Sequence, residues 1–355
     1  MLPLESHKLL SAKLLQLLLL LYCTIGRSQD QNTYEVLTIA FYNTENLFDT
    51  RNDDFTFDDD RTPEGKDAWT EEKYHQKLNN IAKVISEIGI ELSRNSPEII
   101  GLCEIENYSV LEDLLNTTKL ISKDYKIIHF DSPDRRGIDN ALVYNPNIFK
   151  PIASKAIAVP IQNGDGKRRY TRDILVSTGT IQNEKFAFLV NHWPSRSGGE
   201  KASRNYRKSA ALVNRKICDS LWAIDPSLKI INMGDFNDDP KNKNVKNILK
   251  TSENPNQFQF YNPMLKLYKK GIGSLAYRDN WNLFDQILVS GAMLNKDYKN
   301  FQYYKAGVFK KEYLITSKGQ YKGYPFRSYG YNGYLGGYSD HFPVYLYLIK
   351  TKNPR

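Results

Sequence analysis

The chain has 355 residues, enough for one large or two ordinary domains, and its hydrophobic fraction of 41% suits a packed core. The net charge of +9 favours a polyanionic partner such as nucleic acid, phosphoinositide or an anionic surface, although many basic proteins are simply soluble. Its three cysteines have no zinc-binding spacing, which argues against a thiolate metal site. Cys103 and Cys218 are expected to pack as small apolar groups.

The N-terminus has the pattern of an export signal. Two lysines precede the apolar run of residues 14–25, which is shorter than the ~20 residues of a bilayer span, and small residues suit cleavage before Gln29. Cys23 raises the alternative of a lipoprotein, but large residues precede it where small ones are expected. We therefore predict a cleaved signal peptide over residues 1–28, a secreted or periplasmic protein, and no stable membrane association.

Strand-like and helical segments alternate along the rest of the chain. Apolar and alternating runs predict around ten strands, the clearest at residues 36–43, 98–105, 125–130, 141–145, 173–181, 185–193, 228–233, 283–290 and 341–349. Helical periodicity predicts helices at residues 70–90, 109–120 and 200–224. Thr70 suits the N-cap of the first helix, because two glutamates follow it in the first turn.

Two stretches resist assignment, residues 51–66 and 320–338. The first is acidic and loop-like. The second holds six tyrosines and five glycines and predicts an ordered surface loop, whose rings either stack on bases or pack on one another. Since no fixed-period repeat or Pro/Ser linker divides the chain, we predict a single domain over residues 29–355. Many strands with few helices favour an α+β layered sandwich, with the sheets packed together and helices outside.

Polar side chains recur where the predicted strands end. In residues 231–240, an apolar strand ends at Gly234 and is followed by Asp235 and Asn237. These residues are either part of a functional site or an ordinary polar turn. Asp285 lies inside an apolar run, where a lone carboxylate is costly without a partner. The same placement at strand ends is found for Asn43, Glu45, Glu104, His192, Asp340 and His341.

Strand ends at one edge of a sheet converge, so these side chains are expected to meet. Three or more carboxylates in one place raise one another's pKa, and a hard divalent cation removes that cost. Oxygen ligands favour Mg²⁺ or Mn²⁺, with Ca²⁺ as a further choice. Two histidines beside such a cation can transfer protons near neutral pH, which suits attack of water on a phosphoester.

This ordered set of motifs resembles the endonuclease/exonuclease/phosphatase superfamily, whose members include pancreatic-type DNase and the apurinic endonucleases. The matching positions, in chain order, are Asn43, Glu45, Glu104, "GDFN" at residues 234–237, Asp285 and "SDH" at residues 339–341. The match runs from residue 38 to 346. Each short motif is weak alone, but "GDFN" followed about 100 residues later by "SDH" is specific.

The resemblance implies a four-layered αββα sandwich, DNase-like, with two packed, mostly antiparallel sheets flanked by helices. It implies that Asp235 aligns or deprotonates the attacking water, that Asp285 orients His341, and that His192 is the general acid. The metal ligands it implies are Asn43, Glu45, Glu104 and Asp340. The catalytic residues it implies are His192, Asp235, Asn237, Asp285 and His341.

Several further residues have two possible roles each. Arg172 and Arg196 are expected to contact substrate phosphate, and otherwise to be solvated charges. Asp139 either orients His192 or caps local backbone. Arg204, Tyr206 and Arg207 either face phosphates or belong to a solvated helix face.

We predict a secreted, metal-dependent phosphodiesterase that hydrolyses nucleic acid as a non-specific endonuclease. DNA is favoured over RNA, and the chain is expected to be a monomer. Basic charge strengthens binding to phosphates, and export argues against chromosomal repair. The alternative within the fold is a phosphodiesterase or phosphatase acting on a lipid or inositol phosphate. A non-catalytic binding protein is the alternative from another class, and the loss of a core catalytic residue would mark it; none is missing.

Overall fold

The computed structural model describes residues 33–331 and 333–352. Residues 36–350 form one compact unit, and the described residues 33–35 and 351–352 belong to a second. The predicted signal peptide lies outside the described residues, so its cleavage and the secretion that follows from it stay predictions. Within the described part of the chain, no helix is long and apolar enough to cross a membrane.

The first large sheet combines antiparallel and parallel pairing. Its strands are β1 (Tyr34–Leu47), β2 (Ile99–Ile105), β3 (Lys126–His129), β4 (Asp139–Tyr144), β15 (Gln302–Val308) and β18 (Val344–Thr351). Their spatial order is β15-β18-β1-β2-β4-β3. β1 and β2 run parallel, whereas the pairs β2–β4, β3–β4 and β15–β18 are antiparallel. The parallel pair brings Asn43 of β1 and Glu104 of β2 to the same edge of the sheet.

The second large sheet has the same mixture. Its strands are β5 (Phe149–Ile157), β8 (Ile174–Ile181), β9 (Glu184–His192), β10 (Lys229–Asp235), β11 (Phe260–Tyr261) and β14 (Asp285–Ser290). Their order is β11-β14-β10-β9-β8-β5. β9 and β10 are parallel, and the other described pairs are antiparallel. Both sheets are therefore mostly antiparallel, as predicted.

Helices and small hairpins surround the sheets. The helices are α1 (Glu71–Glu87), α2 (Ile90–Ser93), α3 (Tyr108–Leu115), α4 (Glu200–Ile224) and α5 (Met264–Lys269). The hairpins pair β6 (Ile161–Gln162) with β7 (Arg168–Arg169), β12 (Leu275–Tyr277) with β13 (Asn280–Asn282), and β16 (Tyr329–Gly330) with β17 (Gly333–Tyr334). The predicted cap is present, because the Thr70 hydroxyl accepts the Lys73 N–H. α1 ends before Gly89, whose φ of 77° lies in the left-handed region that favours glycine.

Neighbouring side chains along a strand point to opposite faces of the sheet and pack into different cores. In β1, Phe41 packs into the core between the two sheets, whereas its neighbour Tyr42 packs on the other face with α1 and α3. In β10, Met233 faces the core between the sheets, and Ile230 faces α4. The resulting order of layers is helix, sheet, sheet, helix. The predicted α+β, αββα sandwich is thus confirmed.

Some elements differ from the sequence prediction. β5 and β15 were not predicted, because most of their side chains are exposed or only partly buried and Pro151 interrupts the first. In the 320–338 stretch, Tyr329 and Tyr334 pack on the buried Trp69, with ring centroids 5.9 Å away in both cases. Tyr329 and Tyr334 therefore pack on the core, whereas Tyr331 is exposed, so stacking of this loop on bases stays a prediction.

Candidate active site

The predicted catalytic residues of the second sheet meet at one edge. In the parallel register His192 of β9 is opposite Asp235 of β10, and in the antiparallel register Asp235 is opposite Asp285 of β14. Asn43 of the first sheet reaches the same place, because its Nδ2 donates to Asp235 Oδ2 at 3.2 Å. Residues far apart in sequence are therefore gathered at a single point where the two sheets meet.

Four residues at this edge have a backbone conformation that side-chain-bearing residues rarely adopt. Glu45, Asn46, Glu104 and Asn237 have φ values of 54°, 51°, 60° and 48°. Such residues cost of order 1–3 kcal/mol each and persist where the surroundings hold them. Here the Asn46 N–H donates to Glu104 Oε2 at 2.9 Å. The clustering of left-handed residues at one place is typical of a functional site.

Asp235 is at the centre of the group. Its Oδ1 accepts the Asn237 N–H at 2.9 Å, and its Oδ2 lies 3.7 Å from His192 Nε2. Burial, followed by the nearby Asp285 carboxylate, raises the pKa of Asp235 to about 7. A carboxylate with a pKa near neutral can take a proton from water at physiological pH, which a general base must do.

His341 forms a buried pair with Asp285. The two are joined at 2.6 Å between Nδ1 and Oδ2, and the Ser274 hydroxyl donates to the same oxygen at 2.5 Å. Burial lowers the pKa of His341, but the Asp285 carboxylate outweighs it and holds the pKa well above its usual range. His341 is therefore an imidazolium at neutral pH, a positive charge suited to stabilising developing negative charge.

The pKa of His192 is shifted in the opposite direction to that of His341. Burial, followed by the positive charges of Arg172 and Arg136, lowers its pKa well below the usual value. Its Nε2 lies 3.7 Å from Glu104 Oε1, and its Nδ1 is buried and has no hydrogen-bond partner among the described residues. Two histidines at one site, with pKa values shifted in opposite directions, are typical of an acid–base pair.

The guanidinium of Arg327 lies among the predicted metal ligands. Arg327 bonds Glu45 Oε1 and Asp340 Oδ2, both at 3.1 Å, while Glu104 is held by the Asn46 N–H. Among the described residues, Asp235, Asp285 and His341 have ligand atoms within 4.8 Å of one another, close enough to hold one ion. Glu45, Glu104 and Asp340 do not form such a group. The predicted ligands thus border the site without forming a closed cage.

The donor chemistry nevertheless fits a hard cation. Burial, followed by the Asp340 carboxylate, raises the pKa of Glu45. A divalent ion would relieve that repulsion, and carboxylate and amide oxygens are the ligands Mg²⁺ prefers. Asp285 Oδ1 is also buried and has no hydrogen-bond partner among the described residues.

The remaining predicted residues lie around this centre. Arg196 donates from Nε to the Asn237 carbonyl at 2.9 Å and stacks on Phe284 at 4.3 Å. Arg172 is buried and bonds Asp134 and the Trp193 carbonyl, so it supports the wall beside His192. Phosphate binding by these two arginines stays a prediction.

Two of the weaker suggestions are corrected. Asp139 accepts from Ser132 N–H at 2.8 Å and contacts His129 Nε2 at 3.0 Å, so its described partner is His129 and not His192. Arg207 is fully buried and donates to Asp238 Oδ1 at 2.8 Å. It is thus a core ion pair on α4 and not part of a solvated or phosphate-facing surface.

Sequence reasoning missed the residues that hold the acids in place. Lys77 is fully buried and donates to the Ser328 hydroxyl and the Tyr338 carbonyl, both at 2.5 Å, with Glu45 Oε2 3.8 Å away. Burial lowers its pKa to about 8. A lysine at an apolar-face position of α1 was the available signal. Arg327 lies in the unassigned 320–338 stretch, and no motif pointed to it.

Comparison with known families gives a match over most of the chain. The model of the endonuclease/exonuclease/phosphatase family matches residues 38–350. A search of curated proteins gives no match.

Solved structures share the fold at low identity. An endonuclease/exonuclease/phosphatase family protein from Bacteroides thetaiotaomicron is 18% identical, with a TM-score of 0.54 over 92% of this chain and 99% of that one. A mannosyl-6-phosphatase from the same organism is 18% identical, with a TM-score of 0.53 over 88% and 99%. D. rerio TDP2 complexed with a single-strand DNA product is 13% identical, with a TM-score of 0.53 over 89% and 99%. At these identities the likeness establishes the fold alone.

Proposed function

Because the chain belongs to the endonuclease/exonuclease/phosphatase family, whose members are phosphoester hydrolases, we propose that it is a secreted, Mg²⁺-dependent phosphodiesterase. Its substrate is nucleic acid, DNA in preference to RNA, and it cuts as a non-specific endonuclease. Mn²⁺ can replace Mg²⁺ in this proposal, since both take oxygen ligands.

The observation that carries the proposal is the position of Asp235. A buried carboxylate with a pKa of about 7 lies between Asn43 and His192 and beside the Asp285–His341 pair. Asp235 takes the proton of the attacking water, and the Asn237 amide helps to orient it. The cationic His341, fixed by Asp285, faces the phosphate oxygens. The negative charge of a phosphodiester bound beside His192 would raise its lowered pKa, so that the imidazole can hold and then supply the proton that the leaving oxygen needs.

A divalent ion completes this set. Bound by Glu104 and Asp340 with Asn43 and Glu45 nearby, it would neutralise the charge on the phosphate oxygens. Arg327 shares Glu45 and Asp340 in the described structure, so it is the side chain that must adjust when both acids turn to an ion.

The net charge and the similarity to a DNA-binding structure favour nucleic acid as the substrate. The net charge of +9 strengthens binding to a phosphate backbone. One structural relative, D. rerio TDP2, has been solved with a single-strand DNA product. The second candidate is a phosphatase or phosphodiesterase acting on a sugar, inositol or lipid phosphate, because another relative of the same fold is a mannosyl-6-phosphatase.

A substrate panel tests the proposal. The chain beginning at Gln29 is incubated with plasmid DNA, RNA, inositol phosphates, phosphatidylinositol phosphates and mannose 6-phosphate, with Mg²⁺ or with EDTA. We expect Mg²⁺-dependent nicking of the plasmid by the wild type and by Asp131→Asn, whose side chain is 93% exposed. Asp235→Asn is expected to lose at least ~10² in rate. Release of phosphate from a small ester without nicking would replace this proposal with the second candidate.

Export is tested separately. The full chain is expressed in a Gram-negative host, and the mass of the product is measured in the periplasmic and membrane fractions. The proposal requires a soluble product that begins near Gln29. A lipid-modified product that begins at Cys23 would show anchoring instead.

A further inference from the structure

A cavity lined by lysines lies beyond the metal centre, beside the edge of the second sheet. Its volume is about 430 Å³, within the range of ligand pockets. Four of its lining side chains are Lys241, Lys246, Lys266 and Lys269. Residues 240–270 as a whole hold seven lysines and one glutamate, so much of the chain's net charge of +9 is concentrated in this segment.

Two of the four lysines are positioned by aromatic rings. The Lys241 ammonium lies 5.0 Å from the Tyr268 ring centroid, and Lys266 lies 5.6 Å from that of Tyr261. Hydrogen bonding to these tyrosines raises the pKa of both lysines. Glu253, the acid among the described lining residues, pairs with Lys269 at 3.0 Å, and the other three lysines form no ion pair with a described residue. Their mutual repulsion favours a ligand with several negative charges.

The cavity is within reach of the metal centre. Tyr261 is paired with Val289 of β14, four residues along the strand from Asp285, which corresponds to about 14 Å at 3.4 Å per residue. Basic groups connect the two places. Arg196 lies 3.5 Å from the Asp239 carboxylate, and the charges of Arg196 and Lys241 both act to lower the pKa of that group, although burial outweighs them.

We propose that this cavity binds backbone phosphates of the nucleic-acid strand whose bond is cut at the metal centre. The inference rests on the proposed function and adds a second phosphate-binding site to it. A strand carries a phosphate every 3.4 Å of duplex axis, so 14 Å corresponds to about four nucleotides from the cleaved bond. A substrate with a single phosphate group reaches only one of the two places, whereas a polynucleotide reaches both.

Binding without turnover tests the inference. Affinity for a single-stranded DNA of about 20 nucleotides is measured by fluorescence anisotropy in EDTA over a series of salt concentrations. The variant replaces Lys241, Lys246, Lys266 and Lys269 with Gln. The matched control replaces the exposed Lys119, Lys126, Lys150 and Lys155 with Gln, which removes the same charge elsewhere, two of the four on β5 at the opposite edge of the sheet.

The cavity variant is expected to bind DNA at least tenfold more weakly. The slope of log K against log salt should fall by about 2 to 3, since each lost phosphate contact contributes about 0.7 for a single strand. The control is expected to bind within twofold of the wild type. Replacing the same four lysines with Arg should restore binding, which separates lost charge from misfolding. Equal weakening in the control, or wild-type affinity in the cavity variant, overturns the inference.

Two further measurements separate this inference from the proposed function. Hydrolysis of bis(4-nitrophenyl) phosphate reports on the metal centre alone, and the ratio of kcat/KM for the oligonucleotide to kcat/KM for this ester should fall at least tenfold in the cavity variant. If the wild type cuts DNA and this ratio does not change, only the inference fails. If the wild type cuts no DNA and the four lysines instead bind vesicles containing phosphatidylinositol phosphate, both fail.

Discussion

Asp285 and His341 lie 2.6 Å apart between Oδ2 and Nδ1, in a pair that is shielded from solvent. The carboxylate holds the imidazole in its charged form and fixes the direction of Nε2. Asp285→Asn should therefore lower the pKa of His341, measured by NMR titration of the histidine ring, and reduce kcat by about 10² or more. Asp165→Asn, on an exposed turn, should change neither value. A His341 pKa that did not move in Asp285→Asn would show that this carboxylate does not control it.

Asp235→Asn is expected to stabilise the metal-free protein while it removes activity. The folded pKa of about 7 exceeds the unfolded value of about 3.9, so the wild type loses stability as pH rises between these values. In EDTA at pH 8 the variant should unfold about 4 °C or more above the wild type, and near pH 4 the difference should vanish. Calorimetry at the two pH values measures this. A variant less stable at pH 8 would contradict the raised pKa.

His192→Gln should change the acid side of the stability profile. The folded pKa of His192 lies well below its unfolded value of about 6.5. Below pH 6.5 the unfolded chain therefore binds a proton that the folded chain does not bind, and the stability of the folded state falls. Between pH 8 and pH 5, urea denaturation in EDTA should show the wild type losing more stability than the variant. His75→Gln, at a largely exposed position, serves as the control. Activity of His192→Gln should fall by at least ~10².

Glu104→Gln is expected to weaken Mg²⁺ binding at least ~10-fold, because it removes a charged oxygen ligand from the site. The measurement is the rise in Tm with Mg²⁺ concentration, which follows from binding to the folded state alone. Glu112→Gln, exposed on α3, should respond like the wild type. An unchanged Mg²⁺ response in Glu104→Gln would remove Glu104 from the metal site.

Gly234→Ala should disturb the centre through the backbone. A Cβ at this position would lie 2.4 Å from the Asn191 carbonyl oxygen, so β9 and β10 would have to move apart next to His192 and Asp235. We expect a loss of stability of about 1–3 kcal/mol and a fall in kcat. Gly164→Ala has open space around its Cβ and is the control. Normal stability and activity in Gly234→Ala would show that the strands tolerate the shift.

The strands that carry the site were readable from sequence because buried strands are apolar and end abruptly in polar residues. β10 with "GDFN" and β9 with His192 are examples, and α4 was found from its apolar periodicity over the same residues, Glu200–Ile224. β5 and β15 were not readable, because much of their surface faces solvent and alternation is weak.

Contacts between segments that are distant in the sequence could not be predicted either. The pairing of Arg327 with Glu45 and Asp340 joins a loop to two distant motifs, and nothing local specifies such a contact. The same holds for Asp139: the sequence left open whether it contacts His192 or caps local backbone, and in the fold it accepts the Ser132 N–H and contacts His129. Side-chain identity predicts chemistry, whereas the choice of partner depends on which segments the topology brings together.

The hydrogen bond from Asn43 to Asp235 has a mechanical consequence, since it ties one sheet to the other at their shared rim. An ion seated beside it would fasten the two halves of the sandwich as well as serve the reaction. Loading and unloading of that ion should then change how readily core amides on both sides exchange with deuterium, and how quickly proteases cut the chain. An enzyme built in this way would be most durable under the ionic conditions in which it is also able to work.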